Sequence, residues 1–115
     1  MAQKRVVVQI VQVKGRAQVQ WRAERGESGR WIAICQPMNL VTEADSLDEL
    51  HSVINESMQL LLVDLLKDNE LEAFLREHGW HASVPAAVDP SAVQFNVPWQ
   101  LVAEGSLNDS ARRSH

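Results

Sequence analysis

Cysteine is nearly absent: Cys35 stands alone among 115 residues, so the chain forms no internal disulfide. Long apolar runs are missing as well. Stretches such as Leu60-Leu61-Leu62-Val63 fall far short of the roughly 20 residues that span a bilayer. Lys4 and Arg5 are followed by neither a signal-peptide core nor a small-residue cleavage site. There is no G-x-x-x-x-G-K-[ST] or G-x-G-x-x-G loop to cradle a phosphate, and no G-x-S-x-G elbow to present a serine nucleophile. No repeat of 20–50 residues and no low-complexity tract is visible. These gaps lead to the expectation of a cytoplasmic protein with no membrane segment. One domain is expected over residues 1–105, with a flexible polar tail at 106–115.

What is present is enough for a core. Apolar residues make up 45% of the chain, ordinary for a globular domain and too many for a disordered one. The net charge of −4 hides a split. Residues 1–30 hold seven basic and two acidic side chains, whereas residues 31–80 hold two basic and ten acidic. A partner of opposite charge on either half, or packing of the halves against each other, would account for that asymmetry.

Residues 5–13 are β-branched without helical period, which predicts a strand apolar on both faces. After the turn at Lys14-Gly15-Arg16, Ala17, Val19, Trp21 and Ala23 alternate with polar residues, the period of a strand with one wet face. Gly26-Glu27-Ser28-Gly29 turns the chain into a third strand over 30–35. Short connections make the three strands antiparallel neighbours. Pro37 to Asp45 reads as a loop. Ser46 and Glu49 then form an S-x-x-E capping box. Leu47, Leu50, Ile54, Met58, Leu61 and Leu65 follow at helical spacing, on a helix of about 33 Å that ends near Lys67. Glu49, Ser52, Glu56 and Lys67 take its wet side. Asn69 caps a shorter helix with Leu71, Phe74 and Leu75 inward, and Gly79 stops it. Residues 81–92 read as a loop, and 93–103 as a final strand in which Pro98 interrupts the donors. The fold class expected is α+β. Three N-terminal antiparallel strands carry the long helix across one face, a short second helix follows, and a C-terminal strand joins the sheet.

No set of residues reads as a catalytic centre. Cys35 sits in an apolar strand and reads as an inert core thiol. His78 and His81 flank Gly79-Trp80, but zinc sites need three or four ligands and no Cys or third His is near in sequence. His78 reads instead as a helix-end residue, and His51 as a packed edge residue. The expectation is a protein that is not an enzyme, with no cofactor and no metal. A second reading comes from Lys4, Arg5, Lys14, Arg16, Arg22, Arg25 and Arg30 with Trp21 and Trp31 among them. Basic strands with aromatic platforms can bind RNA or single-stranded nucleic acid, although the parity of Trp21 turns it into the core.

The order β-β-β-α, with Trp31-Ile32-Ala33-Ile34-Cys35 leading into the segment Leu40 to Leu50, resembles the HicB-like antitoxin family over about residues 17–66. Thr42, Asp45, Ser46 and Glu49 match the family pattern, while Ala44 and Asn39 stand where it usually has glycine and Pro37 alone remains of its proline-rich loop. The resemblance implies a partial RNase H-like sheet without catalytic acids. It also implies a protein that neutralises a small basic mRNA-cleaving toxin, here as a stand-alone or truncated member without a C-terminal DNA-binding module. Asp45, Asp48, Glu49 and Glu56 are the candidate partner-binding residues. Val53, Leu60 and Val63 lie off the main helical stripe and are the candidate self-association residues, on the expectation of a homodimer.

Overall fold

The computed structural model describes residues 8–16, 18–86 and 88–103. Lys4, Arg5, the start of the expected first strand and the expected tail at 106–115 lie outside them. The fold is mixed α+β: N-terminal strands, one long helix, a short second helix and C-terminal strands that join the sheets. The described residues divide into two compact units, one holding residues 8–16 with 59–86 and 88–98, the other residues 18–58 with 99–103.

The second unit holds a four-stranded sheet of β2 (Val19–Arg25), β3 (Trp31–Cys35), β4 (Leu40–Ala44) and β7 (Trp99–Ala103), ordered β4-β3-β2-β7. The hairpins β2–β3 and β3–β4 are antiparallel, and β7 lies parallel to β2 with Trp21 opposite Leu101. The alternation in β2 is realised: Val19, Trp21 and Ala23 are buried while Gln20 and Arg22 are exposed. Trp21 is fully buried, and its indole N–H has no hydrogen-bond partner.

β4 was expected as loop. Its pattern conceals it, because Val41 and Glu43 point to solvent and Leu40, Thr42 and Ala44 point inward, which gives no clean apolar face. A four-residue turn, Gln36 to Asn39, makes the hairpin possible. Asn39 takes φ 56° there, a left-handed conformation that asparagine tolerates.

The other unit holds a three-stranded sheet of β1 (Gln9–Gly15), β5 (Trp80–Ala82) and β6 (Val93–Asn96), ordered β5-β1-β6. The three N-terminal strands therefore do not share one sheet. β1 pairs antiparallel with β5 and parallel with β6, and buries Val11 and Val13 within that unit, where the strands that pair with it come from far along the chain. The expected strand at 93–103 is likewise two strands. Val97 and Pro98 fall between β6 and β7, where proline has no N–H to continue a ladder, and each part pairs in its own sheet. β5 was read as loop because three residues show no period. A 3-10 turn at Pro90–Ala92 precedes β6, with the Asp89 side chain accepting from the Ser91 N–H. Gly15 is dictated by close approach: a Cβ there would collide with the Trp80 indole.

The long helix α1 spans Leu47–Lys67. Leu50, Ile54, Met58 and Leu62 are its buried row, whereas Leu61 and Leu65 are half-buried and Leu47 is exposed. A strict spacing of four advances about 40° per step around a helix of 3.6 residues per turn. The buried row therefore drifts off the expected 58-61-65 line and ends on Leu62. Helix α2 spans Leu71–Glu77 and buries Leu71 and Leu75. Asn69 does not cap it. Asn69 instead turns left-handed at φ 58°, and Glu70 is the N-cap without a side-chain bond. Gly79, at φ 76°, makes the expected left-handed stop.

Candidate functional site

The corner where β4 meets α1 gathers most of the expected partner-binding residues, all within the four-stranded unit. Ser46 Oγ accepts the Glu49 N–H at 3.2 Å, the first half of the capping box. The Glu49 carboxylate reaches back to the N–H of Asp45 at 3.4 Å, one residue earlier than the motif prescribes. Glu49 is thus held as a helix cap. Asp45 is held by Arg30, whose Nε lies 3.4 Å from its carboxylate, while Arg30 Nη1 lies 3.6 Å from Glu43. All three side chains are substantially exposed, so each ion pair contributes about 0–1 kcal/mol and serves mainly to fix positions. Asp48 in the first turn of α1 and Glu56 two turns on are exposed, on the side opposite the buried row. The sequence-predicted carboxylates thus share one wet exterior, with Asp45 and Glu49 committed to local bonds and Asp48 and Glu56 open to solvent. Glu43 joins them. It went unnoticed because its segment read as loop.

The basic hairpins are arranged differently. Arg25 donates from Nε to the Gly29 carbonyl at 3.2 Å, and its guanidinium lies 5.6 Å from the centroid of the Trp31 ring. Arg30 faces Glu43 and Asp45, as above. Arg25 thus braces the β2–β3 hairpin and Arg30 ties its end to β4, and Trp21 lies in the core rather than on a platform. The arrangement gives the nucleic-acid reading no stacking surface at Trp21. Lys14 and Arg16 are exposed, in the other unit.

Of the self-association residues, Leu60 is 59% exposed while Val53 and Val63 are half-buried, so they do not form one open apolar face. His51 is exposed and tilts against Trp99 at 5.0 Å, the packed edge position expected. Trp99 Nε1 donates to Asn55 Oδ1 at 2.8 Å. At the end of α2, His78 Nδ1 donates to the Phe74 carbonyl at 2.8 Å and its ring stacks on Trp80, a helix-terminal role. Cys35 is buried, and desolvation pushes its thiol above the ordinary value against a smaller opposing hydrogen bond from the Met38 backbone. Among the described residues, no group of three or more His, Cys, Asp or Glu side chains stands close enough to hold a metal ion. A cleft of about 730 Å³ beside α2, floored by Leu71, Leu75 and Trp80, includes none of the predicted site residues.

Residues 16–77, more than half of the chain, match the family described as Domain of unknown function (DUF1902), and the chain belongs to that family. The matched segment runs from before β2 to the end of α2, so it contains the whole β4–α1 corner. No curated protein and no solved structure matches the chain. Among the described residues, no helix is long and apolar enough to cross a membrane.

Proposed function

We propose that this protein is a non-enzymatic binding module of the HicB antitoxin kind, which neutralises a small basic toxin that cleaves mRNA. The observation that carries the reading is the asymmetry of its charges. Arg25 is engaged within the hairpin and Arg30 is paired with Glu43 and Asp45, while Asp48 and Glu56 stand open to solvent on the wet exterior that also bears Asp45 and Glu49. A protein that cleaves RNA holds its substrate through cations facing phosphates. A carboxylate-bearing surface competes for those cations, steers encounter with them and excludes the RNA. The resemblance of Thr42, Asp45, Ser46 and Glu49 to the antitoxin pattern supports the same reading. Steering of this kind needs fixed charge positions, which the Ser46–Glu49 cap and the Arg30 bridge supply. Dimerisation through Val53, Leu60 and Val63 belongs to this reading too, with Leu60 as its most exposed element.

The test is biochemical. The product of a small basic reading frame beside the gene for this chain is purified and assayed for RNA cleavage with and without the chain. Cleavage is expected to stop at stoichiometric addition, and the double variant Asp48→Lys, Glu56→Lys is expected to relieve the block. Cleavage that continues unchanged in the presence of the chain overturns the proposal.

A further inference from the structure

The two sheets treat their edges differently. β6 is the edge of the three-stranded sheet, and the amide of Gln59 covers it: Nε2 donates to the Val93 carbonyl at 2.7 Å, and Oε1 accepts the Phe95 N–H at 2.8 Å. Those two bonds are the ones a neighbouring strand would make. β4 is the edge of the four-stranded sheet, paired on one side with β3. Among the described residues, no side chain bonds to the backbone of Leu40–Ala44. Alternate backbone groups of an antiparallel edge strand point away from its neighbour, ready to pair. Beside them Val41 is 69% exposed and offers an apolar side chain to whatever pairs there.

We infer that β4 is a docking edge on which a partner adds an extended, cationic segment as a fifth strand. The inference rests on the proposed binding of a basic protein and says where and in what form that protein engages. Charge selects the occupant. Across the added strand, the side chain opposite Glu43 shares its face, and a Lys or Arg there makes a favourable cross-strand pair with a carboxylate that Arg30 also approaches at 3.6 Å. The side chain opposite Val41 is apolar and extends the row that Val41 forms with Ile34 on β3. Residues of the other parity lie beside Leu40, Thr42 and Ala44 and are small. A second copy of this chain fits worse. In the symmetric same-face registers of β4 on β4, Glu43 meets Val41, Asn39 or another Glu43, never a cation. The same charges that discourage self-pairing therefore favour a basic strand.

The experiment uses the full chain and a synthetic octapeptide in which Thr alternates with Lys and Val in turn, beside a control with Glu in place of Lys. Amide exchange is followed by NMR at low salt. The cationic peptide is expected to slow exchange across Leu40–Ala44 by roughly tenfold and the acidic one to leave it unchanged. Glu43→Lys is expected to reverse that preference, and Glu77→Lys on α2 to leave it within about twofold. Binding of the cationic peptide without protection of β4 overturns strand addition while leaving the charge-led reading of the corner standing. Equal response to both peptides, or to neither, overturns strand addition, and the RNA-cleavage assay then judges the proposed function by itself. Protection of β4 that rises with protein concentration and no peptide replaces the cationic strand with a second copy.

Discussion

The edges of β6 and β4 are two solutions to one problem. Both strands end a sheet, and both leave backbone donors and acceptors turned outward. At β6 a single glutamine on α1 takes the place of a neighbour. At β4 no side chain among the described residues does so, and the inferred protection is electrostatic, from the carboxylates of Glu43 and Asp45. A side-chain amide closes an edge to every comer, whereas charge closes it only to strands of like charge. The comparison separates an edge that belongs to the architecture from one that remains available.

The largest expected effects test the cores behind the two edges. Ile54→Ala in the four-stranded unit and Leu62→Ala in the three-stranded unit should each cost about 2–5 kcal/mol in chemical denaturation. Leu61→Ala, at a half-buried position, should cost less than Leu62→Ala, and Glu56→Ala should stay within about 0.5 kcal/mol. Equal losses at Leu61 and Leu62 would break the assignment of the buried row.

A middle-sized effect tests the β6 edge itself. Gln59→Leu keeps the bulk of the side chain but abandons both the Val93 carbonyl and the Phe95 N–H, at a cost of about 1–3 kcal/mol. Gln59→Glu retains an acceptor for Phe95 and should fall between Leu and the wild type. If Gln59→Leu proves neutral, the amide is not what closes that edge.

The smallest effect lies just before β6. Asp89 accepts the Ser91 backbone N–H at 2.9 Å and the Ser91 hydroxyl at 2.8 Å, and those bonds hold its carboxyl below the ordinary value of 3.8. A depressed folded-state value means that the stabilisation is present above the ordinary carboxylate range and fades as pH falls through the folded value. The side chain is fully exposed, so the effect is local. Asp89→Ala should speed amide exchange at Ser91 and Ala92 near neutral pH, and the difference from wild type should vanish in strong acid.

What the sequence disclosed was local. β2 announced itself by alternation, α1 by its leucines and its cap, and the end of α2 by Gly79, because each depends on residues close in the chain. What stayed hidden was long-range or inverted. β1 and β6 pair across some 80 residues, and nothing in either segment specifies the other. β4 escaped because its valine faces outward and its threonine inward. The wet positions of Glu49 and Glu56 were legible from helical phase alone, whereas Asp45 precedes the helix. Which of them were already bound, and that an open strand lay next to them, required the register of β4 on β3 and the position of Arg30.

The chain contains four tryptophans and no tyrosine, so its ultraviolet emission is almost wholly indole light. An indole's colour follows the polarity around it. Trp21, sealed from solvent with its N–H unpartnered, should emit at the blue limit, whereas Trp99, half-exposed and hydrogen-bonded to Asn55, should emit further to the red. The four-stranded unit therefore carries its own optical gauge. Opening of its interior registers as part of the blue component turning red, the rest belonging to the buried Trp80 of the other unit, and a ligand settling near the helix face beside Trp99 registers as the reverse.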